Sequence, residues 1–160
     1  MPISAHIYCF DTSALIHAWI RAYPHKHFGG LWKQLDGLIA ARRMLSSVEV
    51  YNELRKKDDE LAAWAKDRKD ELFREIDDPV QDAVVALMRT YPKLVDTRKG
   101  KSGADPFVIA QAMSANPMLI VVTQEDGGSE VRPKIPYVCA QQGITCMRIL
   151  DVIQAENWRF

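Results

Sequence analysis

Met118-Leu119-Ile120-Val121-Val122-Thr123 is the stretch on which the fold turns, an apolar run closed on one side by Asn116-Pro117 and on the other by Gln124-Glu125-Asp126-Gly127-Gly128. It is too short for a helix of ordinary length and rich in β-branched residues, and it lacks the alternation of a half-solvated strand. It therefore predicts a strand buried on both faces, as in a parallel sheet. Working towards the N-terminus, Ile3 to Phe10 has the same apolar character and runs straight into Asp11-Thr12-Ser13, residues suited to cap a helix. Met44-Leu45, Leu94-Val95 and Ile144 to Arg148 predict shorter extended pieces.

Helical stretches separate these segments. Ala14, Leu15, Ile16 and Trp19 predict a helix ending before Pro24, with His25 to Gly30 as a loop, and Leu31, Trp32, Leu35, Leu38 and Ile39 form the next apolar stripe. Ser46 and Glu49 have capping-box spacing ahead of Val50, Tyr51 and Leu54. From Asp58 to Glu75 the chain is charged but sets Leu61, Trp64, Ala65, Arg68 and Leu72 on one side. Asp78-Pro79 and Asp105-Pro106 each predict a helix start, with Asp105 as cap and Pro106 as first helical residue, and Tyr137 to Gln142 predicts a helix with Gly143 just past its end. Strands alternating with helices predict an α/β fold with a mostly parallel sheet. Without repeat, linker or low-complexity tract, residues 1–160 are expected to form one domain.

Composition limits function before any motif does. The 160 residues are 48% hydrophobic and 26% charged, with 21 Lys+Arg against 21 Asp+Glu. Such balance argues against a protein that coats nucleic acid or an anionic membrane by bulk charge. Three cysteines, Cys9, Cys139 and Cys146, make no CxxC pair, which fits free thiols in a reducing compartment. No basic, apolar leader and no apolar run near the ~20 residues of a bilayer span is present. A cytoplasmic protein without membrane association is the expectation. Gly100-Lys101-Ser102 ends like a phosphate-binding loop, but Val95 stands where such a loop needs glycine. His25 and His27 lack companions at zinc-like spacing, and no serine sits in a nucleophile elbow.

Acids are the remaining chemistry. Asp11 and Glu125 follow candidate strands, and Glu53 and Asp105 lie near helix starts, so all four can gather on one edge of a parallel sheet, with Asp126 and Glu49 as neighbours. Each has a structural role available as cap, turn or surface residue. Together they carry a chemical consequence: crowded carboxylates take up protons unless a cation shares them, and oxygen donors select hard ions such as Mg²⁺ or Mn²⁺. A metal-activated water there is suited to phosphodiester hydrolysis. Thr12 and Ser13 can donate to a carboxylate or phosphate, and Arg98, Lys99 and Lys101, just ahead of Asp105, can neutralise phosphates.

These motifs resemble those of the PIN-domain nucleases: IYCFDTSALI with Asp11, LSSVEVYNEL with Glu53, ADPFVIAQA with Asp105 and LIVVTQED with Thr123 and Glu125. The resemblance spans nearly the whole chain. It implies a three-layer α/β/α sandwich and Mg²⁺- or Mn²⁺-dependent cleavage of RNA by the acid cluster. For small members it also implies a toxin's role, with an antitoxin protein as partner and frequent homodimers. The family usually places aspartate two residues after the threonine, whereas this chain has Glu125 followed by Asp126. Either could be the fourth acid. The glutamate also leaves open an inactive PIN-like module that binds a protein or RNA; an aspartyl-nucleophile phosphatase ranks lower, because Asp11-Thr12-Ser13 departs from DxDxT.

Overall fold

A computed structural model describes residues 6–95 and 103–160. The apolar run forms a strand over Ile120–Val122, shorter than the run because Leu119 and Thr123 lead into loops at either end. Five strands build one sheet: β1 (Tyr8–Phe10), β2 (Met44–Ser47), β3 (Phe73–Arg74), β4 (Ile120–Val122) and β5 (Cys146–Met147), in the spatial order β3-β2-β1-β4-β5. All four pairings are parallel. The α/β, mostly parallel architecture expected from the sequence is therefore present.

Nine α-helices are described: α1 (Thr12–Ile16), α2 (Gly29–Ala40), α3 (Val48–Arg55), α4 (Glu60–Asp67), α5 (Lys69–Leu72), α6 (Asp78–Thr90), α7 (Asp105–Met113), α8 (Ile135–Gln142) and α9 (Ile149–Ala155). Helix α1 passes directly into a π-helical turn, His17–Ala22, where the Tyr23 amide bonds to the Ala18 carbonyl at 2.9 Å. The route β1→β2→β3 moves across the sheet in one direction, and β3→β4→β5 moves in the other. Right-handed crossovers then place α1 to α5 on one face and α6 to α8 on the opposite face. The packing agrees: α2 meets α5, whereas α7 meets both α6 and α8. The sheet's two faces are filled by Tyr8, Phe10, Leu15, Met44, Ile109 and Val121, all fully buried.

Several local expectations are corrected. The segment 58–75 is not one helix but α4, α5 and then the edge strand β3, whose Phe73 pairs with Ser46. Charge concealed that strand, because only Leu72 and Phe73 at its start are buried. Leu94 belongs to a 3₁₀ turn, Pro92–Leu94, rather than to an extended piece. Ser46 does not cap α3: it lies within β2, donating to the Phe10 carbonyl at 2.6 Å, while Ser47 accepts the Glu49 amide at 3.2 Å. The strand runs further than its two apolar residues suggested. Asp105 is the first helical residue of α7, with Ala104 before it at the N-cap position, so its carboxyl group does not serve as the cap of its own helix. The C-terminal helix α9 was not anticipated. Ile149, Val152 and Ile153 carry its apolar spacing, and Asp151 accepts the Arg148 amide at 2.9 Å.

Candidate metal centre

Sheet direction changes beside β1, whose successor in sequence lies on one side and β4 on the other. In open α/β sheets such a switch point leaves a crevice at the carboxyl ends of the strands. The register matches Phe10 with Val122, so the next residues, Asp11 and Thr123, face each other there, and the Asp11 amide bonds to the Val122 carbonyl at 3.0 Å. Helix α7 returns to the start of β4, which puts its first residue, Asp105, on the same edge. Glu125 arrives from the loop after β4.

Hydrogen bonds fix the Asp11 and Glu125 carboxyl groups. Asp11 caps α1, taking the Ala14 amide on Oδ1 at 2.7 Å, while Thr123 Oγ1 donates to its Oδ2 at 2.5 Å. Ser13 Oγ lies 2.9 and 2.8 Å from the two Asp11 oxygens and accepts the Gln124 amide at 3.1 Å. Thr123 Oγ1 in turn accepts the Glu125 amide at 3.1 Å. The loop after β4 also anchors two helices: Glu125 Oε2 accepts the Ile135 amide at the start of α8 (3.1 Å), and Gln124 Oε1 accepts the Ile149 amide at the start of α9 (3.0 Å). Sequence reasoning overlooked Gln124; its only signal was its place between Thr123 and Glu125.

Asp11, Asp105 and Glu125 each offer a carboxylate oxygen within 4.8 Å of the others. Asp11 and Asp105 are buried, Glu125 half-buried. Burial first, with Glu125's charge a minor addition, pushes the Asp11 carboxyl up to about 7 against the opposing hydrogen bonds from Thr123, Ala14 and Ser13. Asp105 is held well above the ordinary carboxylate range, chiefly by burial and then by the charge of Glu125, with which its proton is shared in a hydrogen bond. Among the described residues no Lys, Arg or His forms an ion pair with any of the three. A six-coordinate Mg²⁺ holds oxygens at about 2.1 Å, hence roughly 3 to 4.2 Å from one another. With every pair within 4.8 Å, the three oxygens need close by no more than about 0.6 Å to meet that geometry. A hard divalent cation fits this all-oxygen donor set.

The remaining candidates fall elsewhere. Glu53, on α3, stands outside this group of three; it receives the Thr12 hydroxyl at 2.5 Å, and its charge still reaches Asp105. Asp126 is exposed, 3.9 Å from Arg148, and lies outside the group as well. Glu49 is half-buried beside the start of α3. Thr12, Ser13 and Thr123 all hold carboxyl groups in place. Arg98, Lys99 and Lys101 lie outside the described residues.

The doubly covered parallel sheet with buried acids at its switch point agrees with the PIN-like α/β fold that the motifs imply. Residues 8–160 match the family model described as a domain of unknown function, DUF4411, and the chain belongs to that family. No curated protein matches the sequence. Among solved structures, a chain of VapBC2 from Rickettsia felis, crystallised bound to a DNA fragment from their promoter, superposes with a TM-score of 0.53 at 14% identity. The match covers 89% of this chain and 98% of that one. At that identity the likeness is one of fold. The three cysteines are free thiols, and no described helix is long and apolar enough to cross a membrane.

Proposed function

We propose that this protein is a Mg²⁺- or Mn²⁺-dependent endoribonuclease, with Asp11, Asp105 and Glu125 as the inner ligand set. One observation carries the reading: three carboxyl groups converge at the sheet's switch point, two of them buried, with no cationic partner among the described residues. Uncompensated, that arrangement costs folding free energy, which a divalent cation would return. When bound, the cation supplies positive charge opposite the scissile phosphate and lowers the pKa of water, the two requirements of phosphodiester hydrolysis.

The chain's own residues set the geometry. Ser13 and Thr123 hold Asp11 in one orientation, so its oxygens need no reorganisation when the cation arrives. Asp105 gives up the proton it shares with Glu125, whose Oε2 remains on the α8 amide. Glu53, steadied by Thr12, supplies negative charge one step further out; Asp126, exposed beyond the loop, is the weaker candidate for that role. Arg98, Lys99 and Lys101 would meet the RNA backbone ahead of Asp105. A toxin's role, restrained by an antitoxin protein, and a homodimeric state accompany this reading by analogy with the fold's small members, and a cytoplasmic setting suits its free thiols.

The test is incubation of the purified chain with defined RNAs, with and without Mn²⁺, beside the Asp11→Asn variant. Metal-dependent cleavage by the wild type and none by the variant is the expected result. Equal activity in both sinks the assignment, and absence of cleavage together with a melting temperature indifferent to Mn²⁺ favours the inactive binding module.

A further inference from the structure

Away from the acids, the face carrying α1 to α5 gathers aromatic rings. Trp19, on the π-helical turn, meets Trp32 edge-on at 4.9 Å and Trp64 at 6.2 Å, and stacks on His25 with ring centroids 5.0 Å apart and planes at 27°. Trp32 and Trp64 are buried supports, whereas His25 is exposed. The loop is held in shape: Trp32 Nε1 donates to the Tyr23 carbonyl at 2.7 Å, and the His27 and Phe28 amides both reach the Pro24 carbonyl at 2.9 Å. Trp19, Pro24, His25, Lys26 and Glu60 line a cavity of about 470 Å³. That volume falls within the roughly 300–1,000 Å³ typical of small-molecule sites.

Topology sets this cavity on the edge of the sheet that carries the acids. Helix α2 ends where β2 begins, so its first residue, Gly29, lies at the carboxyl edge; α4 and α5 likewise return to β3, which brings Glu60 to that edge. Trp19 follows Asp11 by eight residues, the last three in the π-helical turn, a rise of at most about 12 Å even at the α-helical spacing. Arg55, Lys56 and Lys57, all exposed, extend from the end of α3 beyond Glu53. The cavity thus combines a stacked aromatic face, a cation and a hydrogen-bond acceptor, with further cations on the same side. Those are the elements that bind an unpaired base and its phosphates in single strands.

We propose that this cavity receives an unpaired nucleobase of the RNA strand being cut, stacked on His25 in continuation of the His25–Trp19 pair. Lys26 neutralises the adjacent phosphate, and Glu60 accepts from a base amino group. The proposal rests on the ribonuclease reading of the acid site. Its test uses the Asp11→Asn protein, which holds RNA without cutting it, and fluorescence anisotropy with an unstructured RNA hexamer and an abasic hexamer of equal charge. Adding His25→Ala should weaken the RNA roughly tenfold, the scale of one lost base–aromatic stack, and leave the abasic strand's weaker affinity unchanged. Lys26→Ala should weaken both strands.

A retained melting-temperature rise with Mn²⁺ in the His25→Ala single variant shows that the fold survives. Trp19→Phe, which keeps a ring, gives a second reading of the same stack. Equal affinity for RNA and abasic strands, or no effect of His25→Ala, overturns the proposal. Should wild type cleave RNA while His25→Ala alters nothing, the cavity proposal falls alone. Should wild type neither cleave nor bind RNA, the ribonuclease reading falls and takes the cavity with it.

Discussion

Asp11 caps α1 just as Asp59 caps α4 and Asp77 caps α6, each carboxyl accepting the amide three residues on. Burial separates them. Asp11 is wholly inaccessible and its carboxyl is raised to about 7, so the folded chain holds that proton more tightly than the unfolded chain does. The stabilisation from the neutral acid is complete below about pH 4 and disappears as pH rises through 7. Without metal, the protein should therefore lose a few kcal/mol between pH 4 and pH 8, at about 1.4 kcal/mol for each tenfold difference in proton affinity. Asp11→Asn should flatten that loss, raise the melting temperature at pH 8 without metal, and abolish the response to Mn²⁺. Thermal melts across pH, with and without Mn²⁺, check all three outcomes. Thr123→Val removes the donor that favours ionised Asp11. Its carboxyl should rise further, so that Mn²⁺ stabilises the variant only at higher pH than wild type.

Among the elements, the loop after β4 connects site and fold, since Gln124 and Glu125 anchor α9 and α8 while Thr123 orients Asp11. Gln124→Ala should cost about 1 kcal/mol, as a lost hydrogen bond to a helix start does, and should weaken Mn²⁺ affinity in a calorimetric titration by loosening the loop. Asp59→Ala and Asp77→Ala should each cost a similar ~1 kcal/mol in urea denaturation yet leave Mn²⁺ affinity unchanged. That contrast distinguishes an ordinary cap from a residue that supports the ligand set. The same loop explains a limit of sequence reading. The motifs did not choose between Glu125 and Asp126, because the choice depends on which side chain can reach the Ile135 amide, a contact with a helix ten residues away. Strand β3 escaped notice for another reason: two residues in a charged segment are too few to show a period. Asp105 looked like a cap; only the geometry of α7 shows its carboxyl turned towards Glu125.

At the level of the whole molecule, alternation of strand and helix was readable from runs such as MLIVVT and from the proline-marked helix starts. Strand order was not, since nothing local says that β4 crosses back to lie beside β1. That crossing creates the switch point at which Asp11, Asp105 and Glu125 meet. A ligand bound only by the folded state stabilises it by about 2.7 kcal/mol at a hundredfold excess over Kd. For a chain of this size that corresponds to a melting-temperature rise of roughly 5–10 °C with saturating Mn²⁺, and scanning calorimetry at pH 8 measures it directly.

The spread of the ligand set along the chain bears on synthesis as well as chemistry. Asp11 leaves the ribosome early, yet Glu125 is oriented only once the Ile135 amide of α8 is available to its Oε2. A growing polypeptide that has emerged as far as the loop after β4 but not α8 carries all three acids with the third still unanchored, so on the ribonuclease proposal a product truncated before that helix should bind Mn²⁺ poorly.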